Sequence, residues 1–81
     1  MKLDYSRHVK AIYFDWTRSD CYTVFLRTVK PGTQKHLYFS LQNDGAIKAI
    51  GFWRLGKVNG KQIPFQSLPT ECKDAVNKTM S

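Results

Sequence analysis

Acidic residues are scarce in this chain: six Asp and Glu stand against thirteen Lys and Arg, a formal net charge of +7 over 81 residues. That balance excludes a DNA mimic or a calcium-loop protein, both of which need clustered carboxylates, and it points to an anionic partner. Long apolar runs are missing too. No stretch approaches the roughly 18 to 20 residues of a membrane-crossing helix. The first eight residues also lack the apolar core and small-residue cleavage site of a secretory signal. The expected location is therefore cytoplasmic, with no membrane partner.

Cysteine is nearly absent as well. Cys21 and Cys72 lie 51 positions apart, and His8 and His36 are equally isolated, so the close ligand pairs of a zinc site do not occur. No metal or cofactor is expected, and in a reducing compartment the two thiols read as buried rather than bridged. There is no Gly-rich phosphate loop, nucleophile elbow or catalytic carboxylate pair. A metal-independent ribonuclease with His36 as general base beside Arg27 or Arg54 is the one catalytic reading available. No second acid–base group accompanies His36 in the pattern, so a non-enzymatic role is preferred.

What remains is a globular composition, 42% hydrophobic and 14% aromatic, on a chain with room for one core, hence a single small domain over residues 1–81. Apolar residues alternate with period two through most of it. Candidate strands cover 9–17, 21–29, 35–42, 46–55 and a short 61–65, separated by Arg18-Ser19-Asp20, Pro31-Gly32, Asp44-Gly45 and Asn59-Gly60. Asp-Gly and Asn-Gly suit type I′ hairpin turns, and such short links make neighbouring strands antiparallel. Pro64 marks the last strand as an edge. From Leu68 the period changes: Leu68, Cys72, Ala75, Val76 and Met80 fall on one helical stripe, with Ser67 as the expected N-cap and Pro69 in the first turn. The sequence thus describes an α+β fold: an antiparallel β-meander of four to five strands with one C-terminal helix packed on one face.

Parity divides each strand between two faces. One set is apolar and is the expected core: Ile12, Phe14, Trp16, Tyr22, Val24, Leu26, Leu37, Phe39, Leu41, Ile47, Ala49, Trp53 and Leu55. The other mixes rings and cations, with Tyr13, Phe25, Tyr38 and Phe52 among Arg27, His36, Lys48 and Arg54. Between Gly45 and Gln66 the chain holds four basic residues (Lys48, Arg54, Lys57 and Lys61) and no acid. Rings that stack under bases beside cations that neutralise phosphates are how single-stranded nucleic acid is bound. The candidate site is therefore Tyr13, Phe25, Tyr38 and Phe52 for stacking, with Arg27, Lys48, Arg54, Lys57 and Lys61 for phosphates, on single-stranded DNA or RNA.

The same rings could instead fill a barrel interior, a homodimer interface or a protein-partner surface. The Lys57–Lys61 hairpin could equally serve only to deter edge aggregation. In element order, over residues 9 to 80, the chain is similar in outline to the positive-cofactor family of transcriptional coactivators. That resemblance implies a sheet that grips single strands and assigns no residue. The alternative outline is a small phage- or plasmid-type accessory protein that binds a host protein and inhibits or adapts it.

Overall fold

The computed structural model describes residues 6–57 and 60–80. After a 3-10 turn at Ser6–His8 come β1 (Val9–Phe14), β2 (Tyr22–Val29), β3 (His36–Leu41), β4 (Ile47–Trp53) and β5 (Lys61–Ile63). A second 3-10 turn, Leu55–Lys57, lies between β4 and β5, and a third, Phe65–Ser67, precedes the helix α1 (Thr70–Met80). The five strands form one antiparallel sheet in the order β4-β3-β2-β1-β5. The first four make the expected meander. The fifth does not continue it: the expected hairpin between the last two strands is replaced by pairing of β5 with β1 at the opposite edge, and Asn59 of that turn lies outside the described residues.

This return constrains the sheet's shape. β4 ends where Trp53 faces His36, whereas β5 begins where Lys61 faces Phe14, so residues 54–60 join diagonally opposite corners. In a flat sheet four inter-strand steps and a six-residue strand make a diagonal of about 25 Å. A link of this length, shortened by a 3-10 turn, reaches about 25 Å only when fully stretched. The right-handed twist must therefore fold those two corners toward each other.

Local chemistry sets the strand ends. β1 stops at Phe14, earlier than its alternation suggests, because the Asp15 carboxylate accepts from the Thr17 backbone N–H at 3.0 Å and turns the chain. Trp16 is thereby placed in the turn, 79% exposed, and leaves the expected core. Lys30-Pro31-Gly32-Thr33 closes a turn through Thr33 N–H to the Lys30 carbonyl, with proline second and Gly32 third at φ +79°, the type II arrangement. The Asp44-Gly45 turn is not type I′, since Asp44, like every described non-glycine residue, has no positive φ. It is a three-residue loop, Asn43-Asp44-Gly45, in which only the glycine takes the left-handed conformation. A β-carbon on Gly45 would lie 2.5 Å from the Glu71 carbonyl oxygen, so this turn abuts the start of α1.

The helix begins at Thr70, later than a Ser67 cap would place it. Pro69 holds the preceding Leu68 extended (ψ 142°), and the Pro69 carbonyl accepts from the N–H groups of Cys72 and Lys73. Of its stripe, Leu68, Cys72 and Val76 are buried against Val9, Ile12, Tyr22, Val24, Leu26, Phe39 and Leu41 and Ala75 is partly buried, as expected, while the side chain of Met80 lies outside the described residues. Burial pushes the Cys72 thiol up to about 11, keeping it protonated, and it donates to the Gln42 carbonyl at 3.2 Å.

Two further departures from parity bear on the candidate site. In β4 a bulge at Lys48 shifts the register: Ile47 faces Leu41, but Ala49 faces Ser40 and Ile50 faces Phe39. Beyond the bulge the two sides exchange, so Ile50 and Phe52 lie on the helix side while Ala49, Gly51 and Trp53 lie on the other. Ile47, Ala49 and Trp53, expected in the core, are all exposed. Phe25 departs in the opposite direction. It lies on the face away from the helix, yet is fully buried, with Tyr13 edge-on at 6.0 Å and Tyr38 tilted at 5.8 Å between ring centroids.

Phe25→Ala should therefore cost about 3 to 5 kcal/mol of stability in urea unfolding. Trp16→Ala should fall within about 0.5 kcal/mol of the parent. Equal, small effects would show that Phe25 is not core.

Candidate nucleic-acid interface

The anticipated four-ring platform does not assemble. Tyr13, Phe25 and Tyr38 share one face, but Phe25 has no exposed surface to offer a base, and Phe52 is on the helix side. Tyr13 and Tyr38 are half-buried, and the Tyr38 ring leans over Gly51, whose β-carbon would sit 3.3 Å from it. These rings stabilise the sheet face away from the helix rather than project from it. The bulge carries Lys48 near the start of β4, and Lys61 opens β5 beside Phe14. The side chain of Lys57 lies outside the described residues.

Arg27 and Arg54, by contrast, are brought to one end of the sheet. In an antiparallel meander the starts of odd strands and the ends of even strands share an edge. Here that edge holds the start of β1, the end of β2, the start of β3 and the end of β4, as Val9 opposite Leu26, Val29 opposite His36 and His36 opposite Trp53 establish. Arg7, Lys10, Arg27, Lys30, Lys35 and Arg54 all belong to it and all are exposed. The guanidinium Nε of Arg27 donates to the Arg7 carbonyl at 2.9 Å, tying the end of β2 to the turn before β1. His36 Nδ1 lies 2.9 Å from the Leu26 carbonyl, which can only accept. In the neutral ring Nδ1 therefore carries the proton and Nε2 is an acceptor. An open hollow beside it is lined by Gln34, His36, Arg54, Leu55 and Gly56. Trp53, 50% exposed, shares the face of its strand neighbour His36.

The carboxylates occupy the other end. Asp15 and Asp20 flank the β1–β2 turn, Asp44 is in the β3–β4 turn, and Glu71 joins Asp44, Ser19, Gln42 and Asn43 around a second hollow. Asp74 is one position short of a helical turn beyond Glu71. Asp20 is held below the usual carboxylate range, first by the Ser40 hydroxyl that donates to it and then by Arg18, whose Nε and Nη2 reach its two oxygens at 3.1 and 3.2 Å. Asp15 is lowered by the Thr17 hydroxyl and backbone N–H. Asp15, Asp20 and Asp44 are thus engaged in turns. The opposite end is left with cations only, among the described residues.

Trp53, Arg7, Lys10, Lys30 and Lys35 were not among the sequence candidates. Trp53 was hidden by the bulge, which reverses its parity. The cations were legible in another way: assigning charges to strand ends rather than strand faces separates them without any side-chain coordinates.

No family model, no curated protein and no solved structure matches this chain. The outline resemblance to the positive-cofactor family therefore gains no support from comparison. Among the described residues no three His, Cys, Asp or Glu side chains converge, and no helix is long and apolar enough to cross a membrane.

A pH prediction comes from the acidic end. Because the Asp20 pKa is lowered in the folded state, its contribution is present above the unfolded value and is lost as pH falls through the folded one. Ser40→Ala should destabilise by about 1 kcal/mol at pH 7. In urea titrations across pH, that difference should shrink steadily below pH 4 or so.

Proposed function

We propose that this chain is a non-enzymatic binding module for single-stranded nucleic acid, and that the ligand lies on the basic end of the sheet rather than across its face. The observation that carries the reading is the segregation of charge by strand end, with Arg7, Arg27, Lys30, Lys35 and Arg54 together and the acids of the turns opposite. Trp53 supplies an exposed ring beside them, and the hollow next to it offers an acceptor nitrogen and a guanidinium. A base stacked on an exposed ring gains about 1 to 3 kcal/mol, and the cations follow the backbone.

Single strands suit this arrangement better than duplex. A stacked base must be unpaired, and the outward side of α1 carries the exposed carboxylates Glu71 and Asp74, which repel a phosphate backbone. Neutralising about five phosphates gives a log–log salt slope near −3.5 for a single strand. Affinity should then fall about a hundredfold between 50 and 200 mM salt.

The test is fluorescence anisotropy of labelled single-stranded DNA and RNA oligomers, with a basic protein of similar size as control. Trp53→Ala should weaken binding by about 1 to 3 kcal/mol with little change in salt slope. Arg54→Ala should reduce the slope by about 0.7, and Lys61→Ala, at the far end, should change little. Binding no tighter than the control, or equal losses for Arg54 and Lys61 variants, would overturn the proposal. The reading would then move to an accessory protein that binds another protein.

A further inference from the structure

The two edges of the sheet are guarded very differently. At one, β5 is only three residues long, opens with Lys61 and is followed by Pro64, all features that discourage another strand from adding. At the other, β4 runs seven residues, Ile-Lys-Ala-Ile-Gly-Phe-Trp, with one charge. Four of the six large apolar side chains exposed among the described residues belong to it: Ile47, Ile50, Phe52 and Trp53. Its outer row of backbone N–H and C=O groups faces away from β3. Such an edge is a template for strand pairing.

We infer that the occupant of this edge is a second copy of the chain, paired β4 to β4 in antiparallel fashion to give one continuous ten-stranded sheet. Two observations select this occupant. The first is the match of the strand to itself. Past the bulge, the regular stretch is Ala49–Trp53, centred on Gly51. With Gly51 opposite its own copy, Ile50 meets Phe52 and Ala49 meets Trp53, and each pair lies on one side of the sheet, large against small or apolar against apolar. The bulged Lys48 then adjoins Arg54 of the second copy and limits the pairing to these five residues.

The second observation is charge. Antiparallel pairing lays the acidic end of each copy, with Asp44 and Glu71, alongside the basic end of the other, with Lys35 and Arg54. Parallel pairing would set like ends together. Arg7, Arg27 and Lys30 stay outside the pairing, whereas Trp53, Arg54 and Lys35 lie both at this seam and in the proposed ligand site, so the two surfaces overlap there.

The experiment is light scattering after size exclusion, from about 10 µM to 1 mM, with an expected mass of two 9.4-kDa chains at the upper end. Ile50→Lys should leave a monomer whose circular dichroism and thermal midpoint match the parent, since Ile50 is 58% exposed and is not one of the buried core residues. Register is read by mixing chains that carry Ile50→Cys with chains that carry Phe52→Cys under mild oxidation. The mixture should yield covalent dimer at least tenfold faster than either variant alone, the native Cys21 and Cys72 being buried. In the parent, hydrogen exchange of Ala49–Trp53 should slow with concentration, a readout that needs no variant. A monomer at every concentration, a dimer that survives Ile50→Lys, or equal crosslinking in the mixed and unmixed samples would each overturn the inference.

Discussion

The structure depends on the burial of one sheet face under a single short helix. Leu68, Cys72 and Val76 close over Ile12, Val24, Phe39 and Leu41, and every one of these is nearly or fully excluded from solvent. An eleven-residue helix would be marginal alone in water, so its stability comes from this contact. The contact is positioned at one point by Gly45, where the turn backbone meets Glu71 too closely for any side chain. The second face carries a packed cluster of its own. Tyr13 and Tyr38 close around Phe25, and that small cluster consumes the rings that would otherwise be free to stack.

Strand and helix periodicity, turn residues and the helical stripe were all readable from residue order, because each is a local property: alternation, a Pro-Gly or Asp-Gly pair, a four-residue spacing. The Lys48 bulge was not readable. A one-residue offset leaves the composition of β4 unchanged while exchanging its faces, and nothing in Ile-Lys-Ala-Ile-Gly-Phe-Trp marks where the offset falls. Phe52 and Trp53 were therefore assigned to each other's sides. Phe25 was misplaced for a different reason. Its parity was correct, but burial on an open face depends on how neighbouring rings lean, which is a tertiary property. The pairing of β5 with β1 is likewise non-local and left no mark in the turn residues.

Of the proposed site, Arg27 and Arg54 were legible and now stand together, whereas Lys48 and Lys61 are carried elsewhere by the bulge and by the return of β5. Charge on this molecule is organised along the strands rather than through the sheet. Carboxylates are used where the chain reverses, because Asp side chains accept from the backbone N–H groups of their own turns, as Asp15 does for Thr17 and Asp44 for Ala46. Two of the reversals, β1–β2 and β3–β4, lie toward one end, the second of them against the helix, so turn chemistry itself leaves the opposite end cationic. The charge asymmetry grows out of ordinary loop requirements.

The return of β5 to β1 also orders events in time. Hairpins β1–β2, β2–β3 and β3–β4 join near neighbours in the chain and can form as it emerges from the ribosome. β1, however, keeps a bare flank until Lys61–Ile63 arrives, some fifty residues after Ile12 was made. Closing that long loop carries an entropic cost that the local hairpins do not, so this step is the slow one. The helix follows directly in sequence, which means the last strand and the cover of the core dock nearly together. A nascent chain halted before residue 61 would hold a four-stranded sheet with both edges open and its apolar face uncovered, the state most prone to aggregate.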